Sequence, residues 1–230
     1  MAEIIEISRV ALHDQVVARL RTMLVEGRIP PGAKLNERTL SEQLRVSRTP
    51  LREAIKLLAA EGLVDLLPNR GAVAVKLTEA DVLNTFEVLA ELEGLSGELA
   101  ARRISDEQLS ELRASHYEML ACFERQELSG YYRLNAQIHT LINDAAANPV
   151  LTSTYKSINA RVQSLRFRTN PNAAKWKRAI KEHEVMLEAM TTHDSAAMRE
   201  VLVQHLNNKR DTVLALMRAG DIYPLANLEA

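Results

Sequence analysis

The chain has 230 residues, of which 47% are hydrophobic and 26% charged, a balance typical of folded globular proteins and not of disordered or low-complexity ones. Charged residues interrupt every apolar stretch well before the ~20 residues of a membrane helix, and the N-terminus lacks the features of a signal peptide. With one cysteine, an internal disulfide is excluded, and we expect a cytoplasmic protein without a membrane partner. The length suggests one large or two smaller domains.

The chain begins with a pattern typical of two helices. Apolar residues recur at helical spacing from Val10 to Leu24, and Gly27 with the Pro30-Pro31-Gly32 cluster ends that helix. A short helix fits Glu37–Leu44, in which Leu40 and Leu44 lie on one face. Charge is uneven along the sequence, because residues 1–77 contain 12 basic and 9 acidic side chains whereas the remainder is acidic overall.

A third helix is predicted from about Arg48 to Glu61. Ser47 precedes it and is a good N-cap residue, since its hydroxyl can accept a hydrogen bond from an orphan backbone N–H. Gly62 suits the position just beyond the helix end. The residues expected to point inward are Leu51, Ala54, Ile55 and Leu58.

The pattern then changes to two short β-capable runs, Leu63–Leu67 and Ala72–Val75. Between them, Pro68-Asn69-Arg70-Gly71 forms a polar, basic tip, which is typical of a hairpin. Three helices followed by a hairpin predict a winged helix-turn-helix domain over residues 1–77.

From Thr78 onward the pattern is helical throughout. Ser105 and Gln108 form a capping box, and Pro149 and Pro171 suit first-turn positions, where a missing N–H costs nothing. The predicted helices run from Thr78 to about Arg103, Ser105 to about Gln126, Ser129–Ala147, Pro149–Arg168, Pro171–Thr191 and Asp194–Ala219. The fold class is therefore mainly α, with an all-α bundle of about six helices over residues 78–220 and a C-terminal tail over 221–230.

The start of the third helix carries the residue types that read DNA. In a helix-turn-helix, the N-terminal side chains of the second helix reach base edges in the major groove. Arg48 and Arg52 are four residues apart and so share a face, and arginine can donate twice to guanine. Taken alone, these residues could also form a solvated basic face on a small helical domain.

The whole N-terminal pattern is more specific. It resembles the GntR family of bacterial transcription regulators over about residues 10–76, in the stretch PPGAKLNERTLSEQLRVSRTPLREAIKLLAAEGLV at residues 30–64 and PNRGAVAV at residues 68–75. The resemblance implies binding to double-stranded operator DNA. The residues it places at or beside the DNA are Arg38, Ser47, Arg48, Thr49, Arg52 and, in the wing, Arg70 and Gly71.

Three of the six histidines fall on the apolar faces of predicted helices. Asn135 and His139 are four apart, so both can face the interior from one helix. His183 has apolar neighbours on its face, and His205 follows two apolar residues at helical spacing. Neutral imidazoles facing one interior make good metal ligands, although buried, hydrogen-bonded histidines in a metal-free pocket fit the same pattern.

The second half resembles the FadR-like subgroup of GntR regulators, with its helical FCD effector domain, over about residues 78–220. The matching pieces are Leu134-Asn135, Ile138-His139, Ala147 to Leu151, Lys181-Glu182-His183 and His205. The resemblance implies a divalent metal of the zinc, nickel or manganese type that holds a small organic acid. Its ligands, carried over by position, are Asn135, His139, His183 and His205.

Two positions depart from the family pattern. Asn135 stands where an aspartate is usual, so the ligand set would bring no carboxylate charge. Leu89 stands where the family often has an arginine beside the acid. Acid recognition is therefore assigned to Arg161 or Arg166 on a later helix.

The family resemblance implies a ligand-responsive repressor that is released by its effector, and a homodimer of such a protein suits a palindromic operator. One alternative keeps the regulator but gives it a metal-free pocket for a larger effector, such as an acyl thioester. Another is an all-α metal-dependent hydrolase. The sequence has no glycine-rich phosphate loop, no Gly-x-Ser-x-Gly and no His-Glu-x-x-His, so we do not expect an enzyme.

Overall fold

The computed structural model describes residues 9–68, 70–168 and 173–222. These residues form two compact units. The first comprises the described residues up to Thr78 together with Ala160–Leu165, and the second comprises Glu79–Asn159 and the described residues from Arg166 onward. The predicted tail at 221–230 lies outside the described residues from position 223 on, as does Pro171.

The first unit contains three helices and three short strands. In chain order these are α1 (Arg9–Val25), β1 (Lys34–Leu35), α2 (Glu37–Leu44), α3 (Arg48–Ala60), β2 (Val64–Leu67) and β3 (Gly71–Ala74). The bounds of α2 agree with the sequence prediction, and α3 ends one residue earlier than predicted. The four side chains of α3 that were expected to face inward are all buried.

The strands form an antiparallel sheet in the order β1-β3-β2. The predicted hairpin is present, with Val64 opposite Ala74 and Leu67 opposite Gly71. β1 was not predicted, because two residues are too few to show a period. It adds a third strand by pairing Lys34 with Val73.

Capping residues define both ends of α2. Asn36 caps α2 by accepting hydrogen bonds from the backbone N–H groups of Arg38 and Thr39. Arg45 ends α2 in the left-handed conformation, with φ of 54°. Ser47 holds the N-cap position of α3 as predicted, but its hydroxyl makes no capping hydrogen bond to any described residue, so that part of the prediction is wrong.

The second unit is a bundle of six helices in its described part, as predicted. They are α4 (Glu79–Arg103), α5 (Asp106–Glu124), α6 (Leu128–Ala145), α7 (Pro149–Arg168), α8 (Ala173–Thr191) and α9 (Ser195–Arg218). The capping box of Ser105 and Gln108 is formed at the start of α5. No helix in the described ranges is long and apolar enough to cross a membrane.

The central contact of this bundle is the close approach of α4 to α9. A Cβ atom placed on Gly97 would lie 2.3 Å from Leu202 Cδ1, and one placed on Gly94 would lie 2.7 Å from Val203 Cγ2. Glycine at these two positions therefore allows the helices to pack more closely than alanine would. This close pair also carries site residues, Glu93 on α4 and His205 on α9.

Candidate functional site

The N-terminal end of α3 presents polar side chains to solvent. Arg48, Thr49 and Arg52 are exposed, and Ser47 just before the helix is exposed as well. Arg48 and Arg52 lie one turn apart on the same face. This geometry suits two guanidinium groups that enter a groove together.

Carboxylates on α2 hold two of the arginines. Arg52 Nε donates to Glu37 Oε2 at 2.8 Å, which joins α3 to α2. Arg38 Nε donates to Glu42 Oε1 at 3.2 Å within α2. Both pairs are substantially exposed, so each contributes little to stability but restricts the direction of a guanidinium.

The hairpin tip carries the wing residues. Arg70 is exposed, and its backbone N–H donates to the Leu67 carbonyl at 3.0 Å, closing the turn. Gly71 is also exposed and has φ of 84°, a conformation that favours glycine. All seven residues predicted at the DNA thus lie on the surface of the first unit, and their contacts with DNA stay predictions.

In the second unit, three buried histidines from three helices come together. His139 on α6, His183 on α8 and His205 on α9 each offer a ring nitrogen, and these nitrogens lie within 4.8 Å of one another. The ring centroids are 5.2–5.4 Å apart. Since imidazole nitrogen binds zinc at ~2.0–2.1 Å, the three nitrogens would have to draw closer together to share one ion. The donor set therefore fits a divalent metal.

Two carboxylates contact the histidine cluster from outside it. Glu93 Oε2 on α4 lies 2.8 Å from His139 Nδ1, and both side chains are almost completely buried. Glu182 Oε2 on α8 lies 2.6 Å from His205 Nδ1. Sequence reasoning missed both carboxylates as site residues. Glu93 could have been found, because it interrupts the otherwise apolar or small buried face of α4.

Glu182 is held in its ionised form. Burial raises the pKa of this carboxyl, but the combined effects of His205, Asn208 and Arg178 outweigh burial and bring the pKa below its usual value. Asn208 Nδ2 donates to Glu182 Oε1 at 2.7 Å, and Arg178 Nε lies 3.7 Å from the same oxygen. The carboxylate is thus fixed at both oxygens.

A second polar contact lies one turn further along the same two helices. Asn143 Nδ2 on α6 donates to Ser96 Oγ on α4 at 2.7 Å, and Ser96 Oγ donates in turn to the Leu92 carbonyl at 2.8 Å. Both side chains are buried. Along α4 and α6, Glu93 with His139 and Ser96 with Asn143 therefore form two successive polar contacts inside an apolar bundle.

The other predicted effector-site residues are more dispersed. Asn135 is half-buried and lies one turn before His139 on α6, and Leu89 is fully buried. Arg161 is exposed and belongs to the stretch of α7 that groups with the first unit, whereas the histidines belong to the second. The side chain of Arg166 lies outside the described residues. The ligand role of Asn135 and the acid-binding roles of both arginines stay predictions.

Other histidines have different surroundings. His116 on α5 is buried, and burial lowers its pKa against a smaller opposing effect of Glu184. His193 is exposed, with Nδ1 2.8 Å from the Ala101 carbonyl oxygen. Among the described residues, the metal-capable cluster is therefore the one made by His139, His183 and His205.

Comparison with known proteins covers both units. Residues 12–73 match the gntR family of bacterial regulatory proteins, and residues 84–208, more than half of the chain, match the FCD domain. The HTH-type transcriptional repressor RspR of Escherichia coli K12 is 26% identical over 202 residues, which are 88% of this chain and 89% of RspR. The gluconate operon transcriptional repressor of Bacillus subtilis is 25% identical over 212 residues, 90% of this chain and 87% of the relative.

A solved structure of E. coli McbR/YncC has a similar fold. It superposes with a TM-score of 0.80 at 21% identity and covers 90% of this chain and 98% of the other.

Proposed function

The chain belongs to the gntR family of bacterial regulatory proteins and carries an FCD domain, so it is a transcriptional regulator and not an enzyme, and we propose that it represses an operator until a small organic acid binds. The observation that carries the effector part of the proposal is the buried cluster of His139, His183 and His205. Three imidazoles facing one point inside a regulatory domain suit a bound metal, to which an acid can attach.

In this proposal the metal is a divalent ion of the zinc, nickel or manganese type, with His139, His183 and His205 as ligands and the Asn135 amide oxygen as the fourth. When bound, it supplies the positive charge that attracts a carboxylate. Three nitrogen ligands favour zinc or nickel over manganese, since imidazole suits those ions better. The B. subtilis relative is named for a gluconate operon, and gluconate is an organic acid of the proposed class.

The DNA part of the proposal rests on the exposed residues of the first unit. Arg48 and Arg52 would contact base edges, Arg38 and Thr49 the backbone or a thymine methyl, and Arg70 and Gly71 the adjoining groove or backbone. Two such units in a homodimer suit an inverted-repeat operator. Because binding at two sites is coupled reciprocally, an effector that releases DNA is itself bound more weakly by the DNA complex.

A thermal-shift screen of small carboxylates, gluconate included, tests the effector. Each acid is added with Zn²⁺ or Ni²⁺ and again after EDTA treatment. Stabilisation that disappears with EDTA supports the metal-held acid, since a ligand of the native state raises the melting midpoint. Stabilisation that persists in EDTA would instead support a metal-free pocket, above all if acyl thioesters cause it. Asn135, in place of the family's usual aspartate, favours such a pocket.

Calorimetry with the metal alone tests the ligand set. His183→Ala is expected to abolish tight binding, whereas His193→Ala, which removes an exposed histidine, serves as the control and should bind as the wild type does. Asn135→Asp is expected to tighten binding, because it returns a carboxylate to the ligand set. Equal or weaker affinity in Asn135→Asp would reject Asn135 as a ligand.

A further inference from the structure

Building on the proposed metal site, we propose that Glu93 and Glu182 anchor two of the three histidines and supply the negative charge that a ligand set with Asn135 lacks. Both carboxylates would act through the histidines and not as metal ligands. They are therefore positioning residues for the metal, each on a helix other than that of the histidine it contacts.

The Glu182–His205 contact is the more fully constrained of the two. Glu182 Oε2 on α8 lies 2.6 Å from His205 Nδ1 on α9, so the contact joins the two helices. Asn208, about one turn after His205 on α9, donates to the other carboxylate oxygen. With both oxygens engaged, the carboxylate cannot turn away from His205. The Nδ1 proton of His205 therefore has a fixed acceptor.

A second ion pair, between Glu93 and His139, links α4 to α6. The atoms are 2.8 Å apart, and the side chains are 2% exposed for His139 and 4% for Glu93. A carboxylate buried this deeply is costly unless a donor or positive charge lies beside it. The His139 ring beside it is the ion-pair partner, and a metal at the histidine cluster would add positive charge.

These contacts decide which nitrogen each imidazole offers. A neutral histidine carries one N–H, so donation from Nδ1 to a carboxylate leaves the lone pair on Nε2. Both His139 and His205 would then bind through Nε2. Carboxylate partners of this kind orient the ring and raise the basicity of the ligand nitrogen.

The carboxylates also change the electrostatic balance of the site. Three imidazoles and an amide are neutral, so a divalent ion bound to them alone would leave an uncompensated double charge in the protein interior. Glu93 and Glu182 bring two negative charges close to the ligands without entering the ligand set. A nitrogen-rich site of this charge suits Ni²⁺ or Zn²⁺, whereas Mg²⁺ and Ca²⁺ prefer oxygen ligands.

Histidine tautomers in the metal-free protein test the anchoring step directly. The full-length chain, labelled with ¹⁵N-histidine and treated with EDTA, is measured at pH 8 by long-range ¹H–¹⁵N correlation, with signals assigned from single His→Gln variants. We expect His139 and His205 as Nδ1–H tautomers. Finding either one as the Nε2–H tautomer would overturn the inference for that pair.

Calorimetry with Ni²⁺ or Zn²⁺ tests the charge. Glu93→Gln and Glu182→Gln keep the shape and an acceptor oxygen but lose the charge, and each is expected to weaken binding by about 10- to 100-fold. Glu91→Gln on α4 and Glu188→Gln on α8 change exposed carboxylates on the same helices and should bind as the wild type does. Affinities of Glu93→Gln and Glu182→Gln equal to those controls would overturn the charge step.

The two experiments also separate this inference from the proposed metal. A wild-type chain that binds neither ion would defeat the metal proposal and the charge step together. The tautomers would still show whether Glu93 and Glu182 anchor the histidines.

Discussion

Replacing Gly97 with alanine should destabilise the second unit, although alanine is normally the better helix residue. The new Cβ would lie 2.3 Å from Leu202 Cδ1, 2.9 Å from Met198 Cγ and 3.3 Å from the Met198 carbonyl oxygen. Leu202 is 1% exposed and Met198 is fully buried, so neither side chain has space to move into. The backbone oxygen can move only if α9 itself moves.

The magnitude follows from two opposing effects. Gly→Ala in a helix gains about 1 kcal/mol from backbone entropy. Overpacking a filled interior costs about 1–3 kcal/mol, and a very short contact with Leu202 together with a second short contact with Met198 belongs in the upper part of that range. We therefore expect a net loss of about 1–2 kcal/mol, or roughly 2–8 °C in melting midpoint for a unit of this size.

Thermal and urea unfolding of the full chain, followed by helical circular dichroism in EDTA, measure this loss. Gly94→Ala is the matched control, because its Cβ would meet the Val203 Cγ2 atom at 2.7 Å but every other neighbour at 3.4 Å or more. Val203 is only half-buried and can adjust, so Gly94→Ala should cost clearly less stability than Gly97→Ala. A Gly97→Ala protein as stable as the wild type, or more stable, would refute the argument that close α4–α9 packing requires glycine there.

Three further outcomes are expected. Glu37→Gln releases Arg52 from its carboxylate partner, so the difference in binding free energy between operator and scrambled duplex should fall by about 1 kcal/mol, measured by fluorescence anisotropy at fixed salt. An unchanged difference would show that Glu37 does not orient Arg52 for base contact. Burial lowers the pKa of His116, so the unfolded chain binds more protons and the free energy of unfolding falls as pH drops below the ordinary pKa of 6.5. In urea melts in EDTA, the loss of unfolding free energy between pH 7.5 and 5.5 should be smaller for His116→Gln than for the wild type, and an equal loss would contradict this expectation. Ser96→Ala leaves the Asn143 amide without its acceptor and should cost about 1–3 kcal/mol in urea unfolding, whereas a change under 0.5 kcal/mol would mean that Asn143 finds another acceptor.

Much of the fold could be predicted because its helices carry strong local signals. The apolar period, the capping box at Ser105 and the first-turn Pro149 located helix ends to within one or two residues. β1 could not be predicted, since its two residues form a strand only because β3 lies beside them. The missing cap at Ser47 could not be predicted either, because residue preference gives the position of a cap but not the rotamer that the hydroxyl adopts.

The site was predicted only in part, for a related reason. Helical spacing indicated that His139, His183 and His205 face inward, and the structure brings them together. Spacing within one helix cannot show which residue of another helix lies opposite, so Glu93 and Glu182 were missed. A charged residue on a buried helical face is nevertheless a usable signal, since burial without a partner is too costly to persist.

The packing of α4 and the geometry of the site depend on each other. α4 places Glu93 beside His139, and the next residue, Gly94, is one of the two that let α9 approach. α9 carries His205, which must come within 4.8 Å of histidines from two other helices. Because a metal holds its ligands at fixed bond lengths, a shift of α9 would move His205 relative to the histidines of α6 and α8. Gly97→Ala should therefore weaken Ni²⁺ or Zn²⁺ binding by more than its effect on stability alone would suggest.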